Sequence, residues 1–372
     1  MDCYKCEVQL TEENASEEHI ILNACGGRLK SKGLLCKKCN SDFGDQFDRE
    51  LAETTNDLAN LLIIKRHNGE PQPIRTIHKA TGEKYNIEYG GAPVQSKTNY
   101  EITVDKDGKG RLSINAKNEK EFKKTLSGLK RKYPDLDIDK ILASAKKETL
   151  YLSEPLEING HIGGKGALKS ITKAAINYYL HKGGGREYIK HLLPYLEGKV
   201  EMDVAWMHYP EVDIYASPQG EVSHVLKLVG NSKEGILYAY VELFNVHCFI
   251  IRLNESYTGA DIDFDYVFNV HSYEVKENQT NLKLTKSELN NLFVNKNSEP
   301  FEKVKERYAR VIPIAYRMQD QYQINKIISK AVDKAFGAVP SGAVMTEELM
   351  AAMREQVVGG IMSFIAHRRR ER

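Results

Sequence analysis

Apolar positions change their spacing several times along the chain, and each change marks a segment. From Asn40 to about Lys65 they recur at helical intervals (Leu51, Leu58, Leu61, Leu62), which predicts one helix. Gly69, Pro71 and Pro73 then read as a linker, and from Ile74 to Ala116 the period falls to two. RTIHKA, KYNIEY, YEITVD and RLSINA read as strands, the last two joined across DKDGKG, where Asp107-Gly108 is a hairpin signal. Helical spacing returns over Glu119–Tyr133, Ile138–Lys147, Ala167–Leu180 and Glu187–Leu196. From Met202 to Val275 a run of strands is expected: DVAWMHY, DIYAS, HVLKLVG, GILYAYVELF, HCFIIRL and DYVFNVHSYEV. The remainder reads as helices over Ser287–Phe293, Phe301–Arg310, Gln319–Phe336 and Thr346–Ala366, the last interrupted at Gly359-Gly360.

This alternation implies an α+β protein, a small N-terminal module followed by a larger region of mixed antiparallel sheet and helix. The segments suggest boundaries at 1–66, 67–155, 156–280 and 281–372.

Composition narrows the picture in two places. The 372 residues carry a net charge of only +2, so any contact with nucleic acid must come from local patches rather than a global field. The start, MDCYKCEVQL, has no apolar leader, which points to a cytoplasmic protein with reduced thiols. The most apolar long stretch, Gly235 to Leu253, contains Glu242, Asn245, His247 and Arg252 and reads as buried strands rather than a membrane span. No membrane partner is expected. A stripe of Met345, Leu349, Met350, Met353 and Ile361 serves either as core or as a homodimer seam.

Cysteine spacing is the sharpest chemical signal. Cys3/Cys6 and Cys36/Cys39 form two C-x-x-C knuckles, the arrangement that completes a tetrahedron of thiolates around structural Zn2+. Knuckles in a simple ribbon lie about 15 to 20 residues apart. The longer gap here leaves room for a β-hairpin, and within it stand Glu18-His19, Gly26-Gly27 and the basic residues Arg28, Lys30 and Lys32. Lys37 and Lys38 follow, with Asn40 directly after the last cysteine. Cys25 and Cys248 are left over and read as packing residues.

E-H-I-I, then G-G, then L-C-x-x-C-N resembles the HNH endonucleases. The resemblance covers roughly the first 50 residues. It implies a ββα-metal module in which a hairpin and a helix grip one catalytic cation, Mg2+ or Mn2+, beside a four-cysteine zinc site. His19 then corresponds to the general base, and Glu18 and Asn40 to metal ligands, Asn40 at the opening of the helix. Three positions depart from the family pattern. Leu22 replaces a common proline, Ser31, Lys32 and Gly33 fall where the middle asparagine belongs, and Gly44 stands where some members place a second helix ligand.

The implied chemistry is hydrolysis of DNA phosphodiester bonds. A neutral histidine can take a proton from water, and a hard cation on oxygen ligands can stabilise charge on phosphate. Adjacent strand residues normally face opposite ways, so Glu18 and His19 can share a site only if the strand ends or twists there. Asp45 and Asp48 could also approach the metal. Each residue has a plainer reading too: His19 as a half-buried strand residue, Asn40 as a helix N-cap, and Asp45 and Asp48, more simply, as solubilising helix-surface acids. Arg28, Lys30, Lys32, Lys37 and Lys38 suit phosphate contact or a solvated basic loop. Two functions follow. One is a DNA endonuclease, as in restriction or phage defence, restrained through its C-terminal region by a ligand or protein partner. The other is a zinc-stabilised nucleic-acid-binding or adaptor protein without cleavage.

Overall fold

The computed structural model describes residues 1–67, 69–104, 110–116, 118–145, 152, 156–158, 160, 163–296, 300–337, 339–340 and 342–368. By compactness the chain divides into one unit of residues 1–69 with 163–372 and a second of residues 70–162. The architecture is mixed α and antiparallel β, as the alternation implies.

The N-terminal module begins with the first knuckle, closed by Cys3 N–H to Val8 O and Glu7 N–H to Cys3 O, both 2.8 Å. Two short strands follow, β1 (Glu18–His19) and β2 (Lys30–Ser31), antiparallel with Glu18 opposite Ser31 and His19 opposite Lys30. Gly26 and Gly27 are required between them. Gly26 takes φ +81° at the end of a 3-10 turn, and a Cβ on Gly27 would lie 2.0 Å from the carbonyl oxygen of Ile21, a backbone approach open only to glycine.

The expected long helix is broken. It starts at α1 (Lys37–Phe43), widens into a π-turn over Gly44–Asp48, continues as α2 (Arg49–Thr54) and restarts as α3 (Asn56–Leu61). At the break the Thr55 hydroxyl donates back to Leu51 O at 2.8 Å, the bonding that bends helices at threonine. Ile63, with φ +55°, blocks extension to Lys65.

The second unit holds β3 (Ile74–His78), β4 (Lys84–Ile87), β5 (Pro93–Gln95), β6 (Asn99–Val104), β7 (Gly110–Asn115), α4 (Glu119–Lys132), α5 (Ile138–Ser144) and β8 (Leu156–Ile158). Its sheet runs β5-β4-β3-β8, and β6 pairs with β7 alone. The Asp107-Gly108 turn lies outside the described residues. Strands β5 and β8, three residues each, were too short to show a period.

The chain then returns to the first unit with α6 (Lys165–His181). The Glu187–Leu196 stretch forms 3-10 turns and only one short helix, α7 (Leu193–Leu196). A six-stranded antiparallel sheet follows, in the order β14-β13-β10-β11-β12-β9, from β9 (Ala205–Met207), β10 (Ser223–Asn231), β11 (Ile236–Leu243), β12 (His247–Asn254), β13 (Ile262–Asn269) and β14 (Val275–Lys276). DIYAS does not join it. Helix α8 (Lys286–Val294), through Leu289 and Phe293, covers Tyr238, Tyr240 and Ile250 on one face. On the other, α6 packs against β9 to β12 and also against α2 and the π-turn. One core therefore runs from Leu237, Val241 and Phe249 of the sheet through Ala167, Ile171 and Ala175 of α6 to Ile20, Phe43, Phe47 and Leu51 of the N-terminal module.

Two expected helix breaks are absent. Helix α9 (Pro300–Phe336) passes through Pro313 because Tyr308, Val311, Ile314 and Ala315 pack on the core across that point. Helix α10 (Glu347–Arg368) passes through Gly359-Gly360. A Cβ at Gly360 would lie 2.5 Å from Ile327 Cγ2 of α9, so the glycine permits two helices to approach rather than ending one. Among the described residues Glu347–Ala366 is also the one helix whose length and composition suffice to cross a membrane.

Candidate active site and zinc cluster

The Sγ atoms of Cys3, Cys6, Cys36 and Cys39 all lie within 4.8 Å of one another, and Cys6 and Cys36 are 3.8 Å apart. Zinc–sulfur bonds of about 2.3 Å give a tetrahedron with edges near 3.8 Å, so the set fits zinc. Cys36 also caps α1, its Sγ accepting the Cys39 N–H at 3.4 Å. Burial alone would raise the Cys3 thiol, but backbone N–H groups of Cys6, Cys36 and Lys5 bring it down to about 7, whereas burial pushes Cys39 up. Four thiolates so close need a cation. Arg186, from beyond α6, donates through Nε to Tyr4 O at 2.7 Å and steadies the first knuckle.

Beside the cluster opens a cleft of about 520 Å³, lined by Ser16, Glu18, His19, Leu22, Asn23, Ala24, Lys37, Asn40, Ser41, Gly44, Asp48, Arg49 and Ala52. Glu18 and His19 both line this one cleft, although they are adjacent in the two-residue β1. The His19 ring is half-buried, 6.4 Å from that of His67, and its Nε2 is buried without a hydrogen-bond partner. Burial, with Lys30 and His67 adding to it, pulls the imidazole down to about 4. It is therefore neutral at pH 7.

Asn40 is not the helix N-cap, a position held by Cys36. It sits inside α1 with its N–H bonded to Cys36 O at 3.0 Å, and its Nδ2 donates to Ser16 Oγ at 2.8 Å. Its side chain also hydrogen-bonds Glu18.

Glu18 is 4 % exposed. Its Oε1 lies 2.6 Å from Lys173 Nζ and accepts from Asn177 Nδ2 at 3.3 Å. Burial raises its carboxyl, and the charge of Lys173 opposes the rise. Asp48, expected on the helix surface, is instead in the site: its side chain is 13 % exposed, Oδ2 lies 2.6 Å from the same Lys173 Nζ, and Oδ1 accepts from Ser170 Oγ at 2.6 Å. Asn40, Gly44 and Asp48 line the cleft at four-residue spacing, so a carboxylate absent at Gly44 arrives one turn later. Asp45 is not among the lining residues.

The basic residues scatter. Arg28 donates to Lys65 O at 2.8 Å and lies over the Tyr273 ring at 5.0 Å, Lys30 pairs with Glu17 at 2.9 Å, and Lys37 donates to Glu13 O at 2.6 Å while lining the cleft. Lys32 and Lys38 are exposed. Cys25 and Cys248 are buried, Cys25 with its Sγ 3.2 Å from Thr55 Oγ1 and its thiol raised to about 11 by burial.

A family comparison bears on this geometry. Residues 3–56 match the family model of the HNH endonucleases. No curated protein and no solved structure matches the chain. The match takes in both knuckles, the hairpin and Asp48, and gives the HNH module a nuclease-type function acting on nucleic acid. It ends before α6, so Ser170, Lys173 and Asn177 reach the HNH carboxylates from outside it. Sequence reasoning missed these three. Their signal was present as polar residues at i, i+3 and i+7 along an otherwise apolar helix, a stripe that must face something polar once the helix is buried.

Proposed function

We propose that the protein is an endonuclease that hydrolyses DNA phosphodiester bonds in the cleft of its HNH module, with His19 as general base. The observation carrying this reading is a neutral imidazole whose buried Nε2 has no protein partner, beside Asn40 and Glu18 in a family-matched module. Water hydrogen-bonded at Nε2 gives up its proton as its oxygen attacks phosphorus. The bond to the 3′ oxygen breaks, and the proton passes to that leaving group, leaving 5′ phosphate and 3′ hydroxyl ends. Lys37 at the cleft wall and exposed Lys32 and Lys38 are suited to backbone phosphates.

HNH nucleases use a divalent ion, and Mg2+ or Mn2+ on Glu18 and Asn40 is the arrangement the family resemblance implies. The donors as they stand do not fit it, because the Glu18 carboxylate already meets Lys173, Asn177 and Asn40.

A cytoplasmic restriction or anti-phage role, with the large domain restraining cleavage, fits a module that shares its core with that domain. The engaged Glu18 equally favours the second reading, a nucleic-acid-binding protein that does not cut. A plasmid assay with Mg2+, Mn2+ or neither, run beside a binding assay, separates them. Metal-dependent nicking by the full chain, lost in His19→Ala with zinc retained, supports the nuclease. Binding without nicking under every metal condition supports the binder.

A further inference from the structure

Lys173 is the most enclosed charge at the cleft, 2 % exposed at its side chain, with Nζ 2.6 Å from both Glu18 Oε1 and Asp48 Oδ2. A cation bridging two carboxylates must stand near the point equidistant from the two oxygens, at about 2.0–2.1 Å from each for Mg2+. The Lys173 ammonium stands equidistant from these two oxygens, 2.6 Å from each. Two cations cannot share that place, since their repulsion in a buried site far exceeds its value in water. The lysine is held there from its own side as well: Ser170, one turn before it, donates to Asp48, and Asn177, one turn after, donates to Glu18. The oxygen of that amide, Asn177 Oδ1, is buried without a partner.

We infer that Lys173 is the resident counter-cation of the Glu18–Asp48 pair, and that its ammonium keeps a divalent ion from these two carboxylates. The inference rests on reading the cleft as the HNH site. It gives the large domain a direct hand in that site, through a residue that positions the carboxylates without touching substrate. With Lys173 removed, two buried carboxylates face each other unpaired, with Asn40 and Asn177 oxygens nearby, which is a donor set that hard cations take.

The test is Mn2+ binding to the zinc-loaded full chain, followed by electron paramagnetic resonance and by the Mn2+-induced shift in Tm. Wild type should bind Mn2+ with an affinity that Glu18→Gln leaves unchanged within about twofold, against the 10- to 100-fold that even outer-shell partners of a true ligand are worth. Lys173→Met should bind at least about tenfold tighter than wild type, and adding Glu18→Gln should abolish the gain. A wild-type affinity that falls about tenfold in Glu18→Gln alone, or a Lys173→Met protein that gains nothing, would overturn the inference. Should Lys173→Met not fold, the wild-type and Glu18→Gln comparison decides by itself. Because binding is read without cleavage, failure here leaves the plasmid assay, and with it the nuclease reading, to stand or fall separately.

Discussion

Two clusters of anionic side chains stand side by side in the HNH module, each gathered round a point for one cation. In the first, four thiols come from two knuckles and all belong to the first 39 residues. In the second, Glu18 and Asp48 come from the module, but the positive charge between them is Lys173, more than a hundred residues away in sequence. The sulfur cluster is closed by local geometry, and a cation to fit it, such as zinc, would come from solution. The carboxylate cluster is closed by tertiary packing and carries its own cation. A module built in this way cannot be judged by its family pattern alone, since the charge at its centre depends on a helix outside that pattern.

The largest effect should come from breaking the self-contained cluster. Cys36→Ser removes one of the four sulfurs while leaving a hydroxyl able to cap α1. Structural zinc contributes about 10–16 kcal/mol in small zinc-dependent folds, so zinc content should fall from about one per chain to nearly none. Trypsin should then cut among Lys30, Lys32, Lys37 and Lys38 at sites protected in wild type. Retained zinc with unchanged protection would show that the four thiols do not act as one centre. Cutting the chain after residue 66 tests something different, because Ile20, Phe43, Phe47 and Leu51 would lose the core they share with α6. Loss of activity in such a fragment reports unfolding rather than regulation.

Next in size is the cleft itself. His19→Ala should lower plasmid nicking by about 10² to 10⁴, the usual range for a general base, with zinc content and Tm close to wild type. Such a result would confine the chemistry to the cleft, while an unaltered nicking rate would remove His19 from the mechanism.

A smaller effect concerns the joint between the module and the large sheet. His224, fully buried on β10, has Nε2 2.9 Å from Cys25 O of the module, and its Nδ1 accepts the Phe244 N–H. Nε2 must therefore carry the proton, and the ring is neutral. Burial pulls His224 and His247 down to about 4 each. For a base depressed in the folded state, the unfolded chain binds more protons between that value and the ordinary 6.5. Stability is then fully present above about pH 6.5 and falls as pH drops toward 4. The urea midpoint should follow that direction, and His224→Gln should flatten part of the slope. A midpoint constant from pH 7 to 4.5 would place these rings in more hydrated surroundings.

How much was legible follows the same division between local and distant. Cysteine spacing located the four clustered thiols, E-H-I-I and C-N located the walls of the cleft, and apolar runs between turns located most strands of the large sheet. What could not be read was set by partners far along the chain. Asp48 looked like a surface acid because its helix seemed regular, whereas the π-turn at Gly44–Asp48 brings it into the cleft and α6 buries it. The Ala167–Leu180 stretch read as a helix with nothing that singled out Lys173. Separate helices over Phe301–Arg310 and Gln319–Phe336, and an interruption at Gly359-Gly360, were expected, and packing against the core and against Ile327 decided otherwise.

The smallest expected effect sharpens the comparison from the outside. Lys32 precedes the second knuckle, Lys38 lies within it, and both are exposed, so neither gives up buried packing on substitution. Contact with a DNA phosphate releases a counterion, and the slope of log affinity against log salt should fall by about 1 for each lysine lost. Lys32→Gln and Lys38→Gln should each weaken binding uniformly across sequences, with zinc content unchanged. Lys30, paired with Glu17, should contribute less to the slope, because that carboxylate already neutralises it. A salt slope untouched by either exposed lysine would move the DNA path away from the knuckle, toward the cleft wall at Lys37 or the Arg28–Tyr273 side of the module.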